Sequence, residues 1–228
     1  MITVIIPTMW KGREIVNMLP VVNDHPLIGE IILIDNAPED KNEAVCSLSK
    51  VKYVTFGHNI FPIPSWNYGA ANAQYDKLLI INDDVLFDPA LIDAMDDAIT
   101  EDVGTITMEP HIVFSSAHDQ SVPNFAKKED IKFMDTTALQ HGSAIVLGIH
   151  KNNYIKIPEE LLIYFNDEFL FRISIVRGKV NKFVHTGCIC KTVMSSTVRL
   201  FPEITNREWG IFQEIFAQYG IYYGQDQI

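Results

Sequence analysis

The sequence predicts an α/β domain, a mostly parallel central sheet flanked by helices, and three observations carry that prediction. Short apolar, β-branched runs such as "ITVIIPT" and "KLLIIND" read as strands buried on both faces. Stretches with helical spacing of apolar residues lie between them over the first 100 residues, and that alternation implies parallel strands joined by helices. The 228 residues, 47% hydrophobic and 21% charged, make an ordinary globular mix with material for one good-sized core.

Each element follows from local chemistry. The first strand is Ile2–Thr8, ended by Pro7. "GREIVNMLPVV" is helical through Ile15, Met18 and Leu19, and Pro20 is expected to end or kink it. A second buried strand, Ile31–Ile34, closes on Asp35 and Asn36, and "KYVTF" is a third. A helix is expected around Ser65–Tyr75, then the fourth strand, "KLLIIND". "DPALIDAMDDAIT" is a helix with Asp88 as N-cap and Pro89 at its first position. In the second half, "GTITME", "SAIVLGI" and "KFVHTG" read as strands, and residues 111–135 as loop. "IPEELLIYFNDEFLFRISI" reads as a helix entered through Pro158, with Tyr164–Asp167 as a break point. A terminal helix, "NREWGIFQEIFAQYG", carries Trp209, Phe212, Phe216 and Tyr219 on one stripe, suited to core packing or to a subunit contact in a homodimer. No repeat or linker divides residues 1–228, so one domain is expected.

Bulk properties exclude several classes. A net charge of −11 disfavours generic nucleic-acid binding. Apolar runs are too short for a membrane span, and "MITVIIPTMW" has no basic leader or cleavage site. Three cysteines, Cys46, Cys188 and Cys190, make no disulfide framework, so a reducing, cytoplasmic setting is expected. Cys188 and Cys190 lack the second ligand pair of a zinc site. From Phe169 to Pro202 there is no acid, while Arg172, Arg177, Lys179, Lys182, Lys191 and Arg199 lie there, a stretch that is either phosphate-facing or simply solvated.

Ligands of parallel α/β sheets bind at the carboxyl ends of the strands. Three strands end in polar residues there: Pro7-Thr8, Asp35-Asn36 and Asn82-Asp83-Asp84. Adjacent carboxylates repel and are costly to bury, so a turn bearing two of them either faces solvent or holds a divalent cation. Neither GxGxxG nor GxxxxGK[ST] occurs, which disfavours dinucleotide oxidoreductases and P-loop NTPases.

The ordered series "VIIPT", "ILIDNAPED", "WNYGAANAQYDKLLIINDDVLF", "HGSAIVLGIHK", "LLIYFNDEFL" and "FVHTG" resembles a GT-A fold glycosyltransferase of the family 2 type, from the first strand to about Gly187. The resemblance implies a nucleotide-binding half over residues 1–100 and an acceptor-side half with a C-terminal helix over 101–228. It implies that Asp35 meets the base or ribose, with capping of the next turn as its rival role, and that Pro7 and Thr8 wall the base. Asn67 and Gly69 match the family's Asn-x-Gly segment, where Gly69 serves either close backbone approach or helix packing. Asp84 would hold Mn²⁺ or Mg²⁺ on the diphosphate, Asp83 would contact the sugar or ribose, and His185 would complete the metal site. The turn departs from Asp-x-Asp by carrying Asn82 first.

"YFNDEFLF" resembles the Glu-Asp motif of the catalytic base, with Asn166 in place of Glu. Asp167 is the aligned base and Glu168 the adjacent candidate. His141-Gly142-Ser143 resembles the acceptor-side turn, and Trp66 is either an acceptor-sugar platform or core. The implied activity is a metal-dependent, inverting transfer from a nucleoside diphosphate sugar, a UDP-sugar, to a hydroxyl acceptor. That acceptor would be a glycan, with a modified DNA base disfavoured by the acidity. The rivals are an inactive nucleotide-sugar or carbohydrate binder, kept open by Asn82 and Asn166, and a sugar nucleotidyltransferase, for which a Gly-rich phosphate loop is lacking.

Overall fold

The computed structural model describes residues 1–138, 145–193 and 200–222. Its centre is an eight-stranded sheet in the order β3-β2-β1-β4-β9-β6-β10-β8. The strands are β1 (Ile2–Thr8), β2 (Ile28–Asp35), β3 (Val51–Thr55), β4 (Lys77–Ile81), β6 (Val103–Met108), β8 (Lys132–Thr136), β9 (Val146–His150) and β10 (Val180–Thr186). β1, β2, β3 and β4 pair in parallel, and β10 pairs parallel to β6, while β9 and β8 run against their neighbours. A small second sheet, β5-β11-β7, joins β5 (Val85–Phe87), β7 (Val113–Ser115) and β11 (Cys190–Thr192). β5 leaves the acidic turn directly, so the second sheet continues from the point where β4 ends.

The helices are α1 (Glu14–Asp24), α2 (Glu43–Cys46), α3 (Pro62–Asn72), α4 (Ala90–Ala98), α5 (Asn166–Val176) and α6 (Pro202–Ala217). The pleat sorts β1 between the two sheet faces. Ile2, Val4 and Ile6 join the cluster under α1 and α4, with Met18, Leu19, Leu91 and Met95. Ile5 joins the opposite cluster, under α3, α5 and α6, with Trp66, Phe169, Phe212 and Phe216. The result is a sheet buried on both faces, as the continuous apolar runs require.

Several expectations change. α1 runs on past Pro20 to Asp24, because the one hydrogen bond that proline removes is outweighed by burying Met18, Leu19 and Val22. α3 begins earlier than expected, at Pro62, whose missing N–H costs nothing in a first turn. The expected loop at 111–135 contains β7 and the start of β8. Asp88 caps as expected, Oδ1 accepting from Ala90 N at 3.1 Å, and its Oδ2 also accepts from Phe125 N and Ala126 N at 2.6 and 2.7 Å.

The largest change lies before α5. Residues 158–165 are not helical, and the helix starts only at Asn166. Glu208 of α6, fully buried, accepts from the backbone N–H groups of Leu162 at 2.6 Å, Ile163 at 3.2 Å and Tyr164 at 2.7 Å. A carboxylate that satisfies those donors removes the incentive to close a helical turn there. Phe165 then turns left-handed, at φ 68°, and its ring stacks on Phe212 at 4.1 Å.

Candidate functional site

The carboxyl ends of β2, β1 and β4 lie side by side, so the three polar strand ends form one rim. Thr8 pairs in register with Asp35 across β1 and β2. Thr8 Oγ1 donates to Asp83 Oδ2 at 2.7 Å, Met9 N donates to the same oxygen at 3.2 Å, and Trp10 N donates to Thr8 Oγ1 at 2.9 Å. Trp10 holds φ 59°, a left-handed conformation unusual for a bulky residue, at the head of the loop that crosses the acidic turn. Pro7 sits one residue earlier, paired with Ile34 inside the sheet.

The rim is electrostatically loaded. Burial above all, relieved in part by the Thr8 and Met9 hydrogen bonds, raises the Asp83 carboxyl from its ordinary value. Burial, then the neighbouring Asp83, pushes Asp84 up to about 6, against a stabilising hydrogen bond from Thr192 on β11. Glu14, 1% exposed at the start of α1, adds repulsion to both. Its Oε1 accepts from Ser116 Oγ at 2.7 Å and Gln120 Nε2 at 3.3 Å, but its Oε2 is buried with no hydrogen-bond partner. A Cβ added to Gly12 would lie 3.1 Å from both Asp84 Cα and that Oε2, so the glycine lets the loop close over both acids. Converging carboxylates with one orphaned oxygen form a hard, oxygen-only donor set, which fits a divalent cation such as Mg²⁺ or Mn²⁺.

The other expected residues are distributed as follows. Asp35 is fully buried, Oδ1 accepting from Ala37 N at 2.8 Å and Oδ2 from Tyr53 Oη at 2.7 Å, so its turn-capping role is realised. Asn67 holds the 154–157 segment, bonding Ile157 N and O at 2.9 Å each and Tyr154 Oη at 3.0 Å. Those partners use its side chain for structure instead of a nucleotide. Gly69 is a packing glycine, since an added Cβ would lie 2.4 Å from Ile5 Cγ2. Trp66 is 2% exposed and belongs to the core, which removes it as a sugar platform. His141-Gly142-Ser143 and Arg199 lie outside the described residues.

Asp84 and His185, expected to share a metal, have separate side-chain partners in the described structure. His185 Nδ1 bonds Glu109 Oε2, and its possible ligand partners are Glu109 and His111, a group that does not include Asp84. The strand β11 instead delivers Thr192 to Asp84, because Thr192 pairs with Val85 directly after the acidic turn. Three of the six cations in the basic stretch are paired with acids. Arg172 pairs with Glu168, Lys182 with Asp135, and Lys191 with Asp119. Cys188 and Cys190 are buried free thiols, pushed up by burial, to about 12 in Cys188, and act as core residues.

Asp167 and Glu168 open α5. Asp167 Oδ1 accepts from Glu168 N at 2.9 Å, and Glu168 Oε1 accepts from Arg172 Nε at 2.7 Å. Glu14, Thr192 and Glu208 were not singled out from sequence. Glu208 did leave a signal, because it falls on the buried face of α6 with Thr205, Phe212 and Phe216. An acid at a core position of a helix implies a specific partner.

Solved structures similar to this chain in fold include GT-A glycosyltransferases. S. aureus TarS 1-349 matches with a TM-score of 0.59 at 15% identity, covering 96% of this chain and 64% of that one. TarS 1-349 in complex with UDP matches at 0.58 and 16% identity, covering 89% and 62%. GalNAc-T7 with UDP, GalNAc and Mn²⁺ matches at 0.59 and 12% identity, covering 94% and 50%. The chain thus spans under two thirds of the length of each. No curated protein sequence matches it. Residues 3–177 match glycosyl transferase family 2, and the chain belongs to that family.

Proposed function

We propose that this protein transfers a sugar from a nucleoside diphosphate donor, a UDP-sugar, to a hydroxyl acceptor by inverting displacement, with Mn²⁺ or Mg²⁺ held at the acidic turn. The observation that carries the reading is the acidic rim itself: Asp83 and Asp84 at the end of β4, raised by burial and by repulsion from neighbouring acids, beside an orphaned Glu14 oxygen. Natural chains seldom bury three converging carboxylates unless a counter-charge belongs there. Fold neighbours in complex with UDP, and with UDP and Mn²⁺, support the donor class.

The metal, when bound, would neutralise charge developing on the leaving diphosphate. Asp84 would hold it, and Asp83, locked by Thr8 and Met9, would face the ribose or sugar from a fixed position. Asp35 would shape the nucleotide wall through Ala37 and Tyr53, and would meet the base only where the Tyr53 hydroxyl yields its place. Asp167 would take the acceptor hydroxyl's proton as that oxygen attacks the anomeric carbon, because Glu168 is committed to Arg172. A glycan is the acceptor class most compatible with the acidic chain, and a cytoplasmic setting accords with three free thiols.

Isothermal titration of UDP with and without Mn²⁺, on the native protein and Asp84→Ala, tests this. Metal-dependent binding that vanishes in Asp84→Ala is expected. Absence of nucleoside diphosphate binding under every condition would overturn the donor site. Binding with no turnover of any sugar donor would favour the inactive binder that Asn82 and Asn166 keep open.

A further inference from the structure

Glu14 occupies a place in α1 that the apolar spacing reserves for the core. It shares the buried face with Met18 and Val22, about one and two turns on, and is itself 1% exposed. An acid at such a position is costly unless its oxygens have partners. Oε1 accepts from Ser116 Oγ at 2.7 Å and from Gln120 Nε2 at 3.3 Å, while Oε2 is buried with no hydrogen-bond partner. The backbone oxygen of Gln120 accepts from Asn17 Nδ2 at 3.1 Å, which ties this contact back to α1. A purely structural acid would use both oxygens, as Glu208 does on the backbone before α5.

The small sheet sets where the free oxygen points. β7 and β11 pair in parallel, and Ser116 N donates to Thr192 O at 3.1 Å where that pairing ends. Thr192 bonds Asp84 and Ser116 bonds Glu14, so adjacent strand ends anchor the two acids. Gly12 completes the arrangement. A Cβ there would lie 3.1 Å from Glu14 Oε2 and 3.1 Å from Asp84 Cβ, so the bare side of this glycine lets Oε2 and the acidic turn face each other. The ligand atoms of Asp83, Asp84 and Glu14 are not gathered within 4.8 Å of one another, so the three do not form a single preformed coordination shell.

We propose that Glu14 is a positioning residue of the donor site, whose free Oε2 accepts a hydrogen bond from a water carried by the divalent ion that Asp84 holds. This role rests on the ion site proposed above and adds to it a residue from outside the acidic turn. Mg²⁺ takes one or two protein carboxylates and keeps several waters, so an acid beyond the first coordination shell has a water to receive. A carboxylate placed there orients that water and strengthens the hold on the ion. The contact also supplies the hydrogen bond that Oε2 lacks.

Mn²⁺ titration in the presence of UDP, followed by the electron paramagnetic resonance signal of the free ion, tests this alongside urea unfolding. The native protein is expected to bind one equivalent and Asp84→Ala none. Glu14→Gln keeps an oxygen for Ser116 and is expected to weaken Mn²⁺ binding by about 10–100-fold, with no fall in the urea midpoint. Ser116→Ala leaves all three acids in place but frees Oε1, and is expected to weaken binding in the same direction. It decides the matter if Glu14→Gln does not fold, native affinity then counting against the role. Native Mn²⁺ affinity in a folded Glu14→Gln, with binding lost in Asp84→Ala, would overturn the role of Glu14 and leave the donor site standing. Absence of Mn²⁺ binding to the native protein would overturn both. More exchangeable protons around Mn²⁺ in Glu14→Gln than in the native protein, read by electron–nuclear double resonance, would make Glu14 a direct ligand and overturn the water-mediated placement.

Discussion

Asp167 and Glu168 are adjacent carboxylates whose partners divide their roles. Glu168 is held by Arg172 one turn along α5 in an i,i+4 ion pair. Asp167 caps the N–H of Glu168 and stands at the first turn of the helix, where a carboxylate is favoured. If Asp167 is the base, Asp167→Asn should lower kcat by about 10²–10⁴-fold with donor binding intact. Glu168→Gln should cost far less, because the Arg172 contact survives as a neutral hydrogen bond. Steady-state kinetics with a fixed donor and acceptor would check both. Asp84 makes the complementary case. Its pKa is raised from 3.8 to about 6, so the folded protein holds that proton more tightly than the unfolded chain does. Stability is therefore lost as pH rises from about 4 through about 6, and stays lost above. Asp84→Asn removes that repulsion and should stabilise the apo-protein by roughly 0.5–2 kcal/mol at pH 8, with a smaller gain at pH 5, read from urea unfolding. A functional carboxylate that destabilises its own fold is what a site built to receive a cation should show.

At the scale of elements, the sequence was legible where period and residue type agreed. The all-apolar runs of β1, β2 and β4 identify buried parallel strands, and their polar ends identify the rim. What it hid was set by contacts distant in the chain. The non-helical segment 158–165 has helix-forming Glu159, Glu160, Leu161 and Leu162, and nothing local announces that Glu208, more than 40 residues later, claims its N–H groups. The pairing of Thr192 with Asp84 is likewise a product of β11 joining β5, which no spacing rule encodes. His185 was recognisable as a strand-end histidine, but its partners Glu109 and His111 come from another strand end. These contacts make a prediction about the loop that precedes the base. Glu208→Ala would leave buried N–H groups at Leu162, Ile163 and Tyr164 unsatisfied, at a cost of about 3 kcal/mol. Glu208→Gln offers one acceptor oxygen in place of two and should lie between. Amide exchange at residues 162–164 should rise more than exchange in β1. An unchanged exchange rate there would show that the carboxylate does not hold the loop.

The whole molecule raises a question of where its folding unit ends. The family match stops at residue 177, yet α6 begins only at Pro202. The aromatic stripe of α6 is divided between core and surface. Phe212 and Phe216 are 6% and 0% exposed and contact Phe165 and Phe169, while Trp209 remains 48% exposed. Core packing thus takes Phe212 and Phe216 from the face that could also serve a homodimer, and Trp209 and Tyr219, 48% and 37% exposed, are the part left at the surface. The α6 side chains share a cluster with Ile5, Ile32 and Leu78 at the centre of the sheet, so the last helix closes a layer begun by the first strands. Burial of Phe212, Ile215 and Phe216 contributes roughly 1.5–3 kcal/mol each. Added to the Glu208 contacts, that rivals a typical total stability of about 5–15 kcal/mol. A chain ended after Leu200 should therefore lose cooperative urea unfolding and bind a hydrophobic dye through the uncovered Phe165 and Phe169. Full cooperativity at the native midpoint would mean instead that the part matching the family folds alone and that α6 is an addition. On the packing described, the first outcome is expected, because the loop before Asp167 has no other buried acceptor for its N–H groups among the described residues.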